Sequence, residues 1–196
     1  MIRPLCFASL LLALVPVGGV RADPFPALQA PAGIGLVDPA IAALDAQLLH
    51  AADADGAQAI ADRLEVRRMA RLSPTVRLML RRGQRELVAN KPHEALGDMS
   101  DAIDLQPDQG PLWRERAAAQ AMNGDADAAI TDLGGALDRD PSDILSWSAL
   151  SSIEERHGQP RQAYEAWEHV LRLDPKIAGG ANRLLHLHHR MLGDPT

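Results

Sequence analysis

Cysteine is nearly absent from this chain and aromatic residues are scarce. Of 196 residues only Cys6 is a cysteine, and aromatics make up 3%. From residue 23 onward there is no thiol, which excludes disulfides, thiolate metal sites and cysteine nucleophiles. Past about residue 20 there is no alternating run of β-branched and aromatic residues, the mark of a half-buried strand. Alanine and leucine are abundant instead, which suits packed helices. The hydrophobic fraction, 46%, is enough for a core, and the length fits one domain or one short solenoid. Positive charge is not in excess: the formal balance is −6, which argues against general nucleic-acid binding. Catalytic signatures are missing too, with no glycine-rich phosphate loop, no GxSxG and no HExxH. The many carboxylates fall on surface faces or helix caps, where solvation and capping account for them. These absences point away from an enzyme and call for no cofactor.

Residues 1–22 read as a targeting segment. Arg3 gives a short positive start, Pro4 to Val20 are almost all apolar, and Val20-Arg21-Ala22 is a small-x-small site before Asp23. A cleaved secretory signal ending at Ala22 is expected, with export to the periplasm if the source is bacterial. The alternative is an uncleaved anchor, but the apolar stretch is short for a span, and Pro16, Gly18 and Gly19 interrupt its end. No other stretch is apolar enough to span, so the mature chain is not expected to be an integral membrane protein. Removing Arg3 and Arg21 leaves 18 basic against 26 acidic residues, a balance of −8. Residues 23–37, DPFPALQAPAGIGLV, read as a proline- and glycine-rich extended arm.

What the chain does have is a period. Pro107, Pro141 and Pro175 stand 34 residues apart, as do Ala95, Ala129 and Ala163, and the pairs Trp113/Trp147 and Gly124/Gly158. A fixed step of this length marks a repeat architecture, and such arrays mostly hold other molecules. Residues 110–143 illustrate one unit: a helical spacing through Leu112, Trp113, Arg116, Ala117 and Gln120, a break at Asn123-Gly124-Asp125, and a second helix presenting Ala129, Leu133, Ala136 and Leu137. Asp140-Pro141 ends it. Asp38-Pro39 and Ser73-Pro74 are cap-and-proline starts of earlier helices.

These residues resemble the tetratricopeptide repeat family, whose unit is a 34-residue helix pair. With units at 76–109, 110–143 and 144–177, the bulky fourth position is Met79, Trp113 and Trp147, and the small eighth is Gly83, Ala117 and Ser151. The turn position is Asn90, Gly124 and Gly158. The second helices carry Ala95, Ala129 and Ala163, then Met99, Leu133 and Trp167, then Ala102, Ala136 and Val170, before the closing prolines. Two positions depart: the family's leucine at seven is Arg82, Arg116 and Leu150, and its tyrosine at eleven is Glu86, Gln120 and Glu154, which suggests thinner first-helix cores. The resemblance implies an all-α, right-handed solenoid of antiparallel helix pairs. It has about three good repeats, a degenerate helix pair at 38–75 (Ala61 on the grid, but Arg68 at a small position) and a capping helix and tail at 178–196.

It also implies a concave groove lined by the first helices, taking a protein or peptide segment. On the family register the inward positions are Arg77, Leu80, Gln84 and Leu87, then Pro111, Arg114, Ala118 and Ala121, then Leu145, Ser148, Ser152 and Glu155, with Arg81 beside them. The subclass that grips chaperone C-terminal carboxylates uses lysine, asparagine and arginine in the groove. This chain has Leu80, Gln84, Glu115, Leu145 and Ala149 there, so that clamp is not expected. The reading is a non-catalytic adaptor or scaffold.

Three features leave alternatives open. His186 and His189 are three apart on one helix face and are weak metal-ligand candidates, against a polar face on a terminal helix. Trp113, Trp147 and Trp167 suggest a ligand box, but all three fall on core positions of the grid. Arg63, Arg67, Arg68, Arg71, Arg77, Arg81, Arg82 and Arg85, opposed only by Glu65 and Glu86, give residues 63–86 a charge of +6 and leave −14 elsewhere in the mature chain. Such a cluster fits a partner's acidic segment or another anion, or an internal ion-pair seam. Self-association through the terminal helix is a further alternative.

Overall fold

A computed structural model describes residues 38–193; the signal and arm readings fall outside them. Among the described residues there are nine helices and no strand: α1 (Pro39–Leu49), α2 (Ala54–Ala70), α3 (Pro74–Val88), α4 (Pro92–Leu105), α5 (Gly110–Met122), α6 (Ala126–Arg139), α7 (Ile144–Arg156), α8 (Pro160–Leu173) and α9 (Gly180–Leu192). None of them is long and apolar enough to cross a membrane. Local chemistry sets the boundaries. Side chains of Asp38, Asp53, Ser73, Asp125 and Asp143 accept bonds from the first-turn amides of their helices. Asn90, Gly124 and Gly158 take left-handed backbones, with φ of 58°, 87° and 81°, and so reverse the chain between the two helices of each unit.

The helices stack as α3/α4, α5/α6 and α7/α8, with α4 on α5, α6 on α7 and α8 on α9. This is a solenoid of helix pairs. Its seam is the set of small periodic residues: Ala95, Ala129, Ala163, Ala102, Ala136 and Val170 are wholly buried, and Met99 and Leu133 fill the space between them. The tryptophans repeat a hydrogen bond as well as a position. Trp113 Nε1 donates to the Pro107 carbonyl at 2.9 Å and Trp147 Nε1 to Pro141 at 3.0 Å. Each indole thus ties a first helix to the closing proline of the unit before. Trp167 donates to the Gly180 carbonyl at 2.9 Å and anchors α9. Trp113 is only half-buried, with the Arg116 and Arg139 guanidiniums over its ring.

Trp147 stacks on His169 with ring centroids 3.9 Å apart. Burial, and then the Arg172 charge, pull this imidazole from its ordinary 6.5 down to about 4. A depressed pKa means the stability it contributes is present above pH 6.5 and is lost as pH falls toward 4. Thermal melts of wild type should therefore drop between pH 6.5 and 4, and His169→Phe should flatten that slope. An unchanged slope would sink this account.

The departures at position seven have a structural answer. Arg116 Nε and Nη2 bond Asp132 Oδ2 and Oδ1 at 2.7 and 2.8 Å, from position 7 to position 23 of the same unit. Arg82 makes the same pair with Asp98. The third unit replaces both partners, with Leu150 and Ala166, each buried. At position eleven, Glu86, Gln120 and Glu154 each bury a side-chain oxygen without a hydrogen-bond partner among the described residues, and burial pushes the Glu154 carboxyl up.

The segment read as a degenerate repeat holds α1 and α2, but α2 does not stack along α3 as α4 does along α5. Its principal helix partner is α1, and α1 reaches α8. Arg68 explains the difference. It occupies the position filled by Ala102, Ala136 and Val170 in the later units, where two helices approach too closely for a guanidinium. It turns instead toward Asp140, donating from Nε to Oδ2 at 2.6 Å, and from Nη2 to Ser142 Oγ at 3.0 Å. Ile41, Leu44, Leu48, Ala57 and Leu64 are buried in this hairpin. Full burial of an aliphatic side chain contributes about 1.5–3 kcal/mol.

Candidate functional site

The inner face is built from α3, α5 and α7, and its two halves differ. Toward the N-terminal ends of α5 and α7 the α1–α2 hairpin reaches it through side chains of α2. Leu80 is 1% exposed and packs with Leu72, Val76, Ala102, Ile103 and Leu112. Pro111 is buried as well. Arg114, 7% exposed, bonds Glu65 of α2 through Nη2 at 2.5 Å and Asp143 through Nη1 at 2.6 Å. Asp143 is the α7 cap and also accepts from Leu145 N and Ser146 Oγ. Burial alone would lower the Arg114 pKa, but Asp143 and Glu65 outweigh it, so the guanidinium is held fully charged.

A second cluster sits beside it. Burial would raise the Asp140 carboxyl, yet Arg68 holds it below the usual carboxylate range, while burial pushes neighbouring Asp45 up. Asp140 therefore contributes stability above pH 3.8 that is lost as pH falls through its lowered value. Asp45 acts oppositely: its contribution is full below pH 3.8 and is lost as pH rises through its raised value.

Toward the C-terminal ends the face is open. Between α5 and α7 lies a cavity of about 600 Å³. Its apolar wall is Ala117, Ala118, Ala121, Met122, Ala149 and Ile153, and its polar rim is Arg114, Glu115, Ser152 and Arg156. Small alanines on α5 facing Ile153 on α7 leave room for one or two bulky apolar side chains of a bound segment. The rim offers the Arg156 cation, the Glu115 carboxylate and the Ser152 hydroxyl for backbone or polar groups.

Of the groove residues read from the sequence, Arg114, Ala118, Ala121 and Ser152 meet at this cavity. Gln84 stands next to it, donating to Glu115 Oε2 at 3.1 Å. Ser148 is half-buried, one turn before Ser152, and its carbonyl accepts the Ser152 hydroxyl. The others lie apart. Leu80 is inside the core between α3, α4 and α5, Arg77 is half-buried on α3, Arg81 is exposed, and Leu145 is exposed at the start of α7. Sequence reasoning missed Met122, Ile153, Arg156 and the reach of Glu65. Three of these occupy positions ten and thirteen, on the side each first helix turns toward the preceding unit; only pairing successive units reveals them.

The remaining candidates are also placed. His186 Nε2 lies 2.9 Å from Glu155 Oε1, and Arg183 bonds the other oxygen of that carboxylate at 2.6 Å; His189 is exposed. Among the described residues no group of three histidine, cysteine, aspartate or glutamate side chains could hold a metal ion. Of the eight clustered arginines, Arg67, Arg68 and Arg82 have carboxylate partners: Asp38, then Asp140 and Asp45, then Asp98. Arg63, Arg71, Arg77, Arg81 and Arg85 have none within 4.0 Å among the described residues.

No family profile matches the chain. A TPR repeat-containing protein of Rhizobium etli is 24% identical over 153 residues, 78% of this chain and 75% of that protein. The small glutamine-rich tetratricopeptide repeat-containing protein 2 of Saccharomyces cerevisiae is 32% identical over 88 residues, 44% of this chain and 25% of that protein. Among solved structures, the first TPR of Spaghetti (RPAP3) bound to the HSP90 peptide SRMEEVD superposes with a TM-score of 0.58 at 20% identity, covering 62% of this chain and 96% of that one. At such identity the likeness speaks for the fold.

Proposed function

We propose that this chain, which is built of tetratricopeptide repeats, is a non-catalytic adaptor that holds a protein or peptide segment on the open half of its inner face, in a bacterial cell envelope. The cavity between α5 and α7 carries the reading: it is sized for bulky side chains and has an alanine floor with a charged rim. Solved neighbours of the same fold hold HSP90 and HSP70 peptides. Here the groove chemistry differs from a carboxylate clamp, because the buried Arg114 is already engaged by Glu65 and Asp143. The segment favoured by this cavity is apolar at its centre. The envelope location rests on the sequence of residues 1–22.

The test is to select peptides from a displayed library on the wild-type protein and measure them on Ala118→Trp. Ala118 is exposed beside the cavity, so an indole there fills the space without disturbing the core. Selected peptides are expected to lose at least about tenfold in affinity, the scale of one desolvated anchor side chain. Peptides that bind both forms equally would move recognition off this cavity.

A further inference from the structure

We propose that the bare flank of α3 is a second docking surface, separate from the cavity, and that it takes an acidic amphipathic helix of a partner protein. Each first helix turns a stripe at positions 3, 6, 10 and 13 toward the unit before it. In α5 the stripe is Leu112, Glu115, Ala119 and Met122. Leu112 is buried against Ala102 and Ile103, and Ala119 against Ala95 and Met99, all four on α4. In α7, Ser146 and Ile153 are buried in the same way where α6 packs on α7. In α3 the stripe is Leu78, Arg81, Arg85 and Val88, and nothing among the described residues covers it: Leu78 is 56% exposed and Arg85 is exposed where their counterparts at positions 3 and 10 are buried, Arg81 is exposed, and Val88 is exposed as Met122 and Arg156 are at the same position. The helix that precedes α3 in the chain, α2, is held elsewhere by Arg68 and Glu65. The neighbouring ion pair records the same vacancy of packing: the Arg82 side chain is 57% exposed where its counterpart Arg116 is 21%.

The shape of the occupant follows from the two equivalent faces, each covered by a helix. Leu78 and Val88 lie ten residues apart, about 15 Å along the axis, which two to three turns of a helix would span. The charge follows from Arg81 and Arg85, which have no carboxylate partner among the described residues, with Arg71 and Arg77 nearby in sequence and equally unpaired. A second copy does not supply that charge through its end helices. Two α3 flanks facing each other would oppose arginines. The other terminal helix, α9, carries Arg183, His186, His188, His189 and Arg190 and no acidic residue. The helix that covers the α5 face, α4, is itself acidic, with Glu94, Asp98, Asp101 and Asp104. A partner helix of that kind, small or apolar on one stripe and flanked by carboxylates, is complementary to α3 in both shape and sign.

The probe is a synthetic peptide of residues 91–106, the chain's own α4, held helical by a staple joining positions 93 and 97, both of which are exposed in the intact chain. Amide chemical shifts of the labelled protein are followed on titration. Saturable shifts confined to α3 around Leu78, Arg81, Arg85 and Val88 are expected. The affinity should weaken severalfold on raising salt from about 0.05 M to 0.3 M, where the screening length shortens. It should also fall at least about tenfold in Arg81→Glu/Arg85→Glu and stay unchanged in Ala118→Trp. A peptide with its four acidic residues replaced by lysine should reverse the preference and favour the Glu variant. Both substituted arginines are exposed, so the variant is expected to keep its fold, which circular dichroism checks. No saturable shift up to millimolar peptide, shifts confined to the α5–α7 cavity, or binding indifferent to the charge reversal would each overturn the proposal.

Discussion

Arg114→Ala is expected to cost about 3–5 kcal/mol in urea denaturation, the largest loss from any single substitution on the inner face. The guanidinium is 7% exposed and bridges two carboxylates from different parts of the chain, Glu65 on α2 and Asp143 at the start of α7. Removing it leaves Asp143, 1% exposed, charged and deprived of its cation, while its other partners are a backbone amide and a hydroxyl. Glu65→Gln should cost less, because its side chain is 28% exposed and Arg114 would keep Asp143. The double variant should show a coupling of about 1–3 kcal/mol, since both substitutions act on one contact. Limited proteolysis separates docking from global stability. If Arg114 is the bolt that holds the α1–α2 hairpin, cleavage in the α1–α2 turn should accelerate in Arg114→Ala before the array unfolds. A loss below about 1 kcal/mol would mean that the apolar contacts of Ile41, Leu44, Leu48 and Leu64 hold the hairpin unaided.

Position decided what could be read from the sequence. The grid of alanines, glycines and prolines is local chemistry repeated at 34 residues, and it forecast the pairing of α3 to α8 because each residue acts on its immediate neighbour: a cap, a left-handed turn, a close helix approach. The groove was half legible for the same reason. Ala118 and Ser152 sit where the register of their own helices places them. Leu80 could not be read as core from its own register, because its neighbours Leu72, Ala102, Ile103 and Leu112 come from just past α2 and from α4 and α5. The departure of α2 from the stack was harder still to read. The signal was Arg68 at a position that is small in every later unit. On its own it shows only that α2 fits the stack poorly. Where α2 goes instead depends on Asp140 and Ser142, 72 and 74 residues away, and no local pattern encodes that meeting.

Position seven supplies the second large effect. Arg116→Leu is expected to destabilise by about 3–5 kcal/mol, because Asp132 has a side chain only 4% exposed and would be left buried without its cation. The same leucine is the residue the third unit already uses at that position. There it is harmless because position 23 has changed with it: Leu150 is paired with Ala166 rather than with an aspartate, and both are buried. Arg116→Leu/Asp132→Ala should therefore recover to within about 1–2 kcal/mol of wild type, or exceed it, since apolar replacements of buried ion pairs are often neutral or stabilising. What remains of the deficit should be volume, as leucine and alanine together are smaller than arginine and aspartate. The third unit carries Trp167 at position 24, where the second has Leu133, and adding Leu133→Trp should return part of it. Equal losses in the single and double variants would show that Arg116 acts through packing and through its cation–π contact with Trp113, 5.1 Å from the ring centre, rather than by neutralising Asp132.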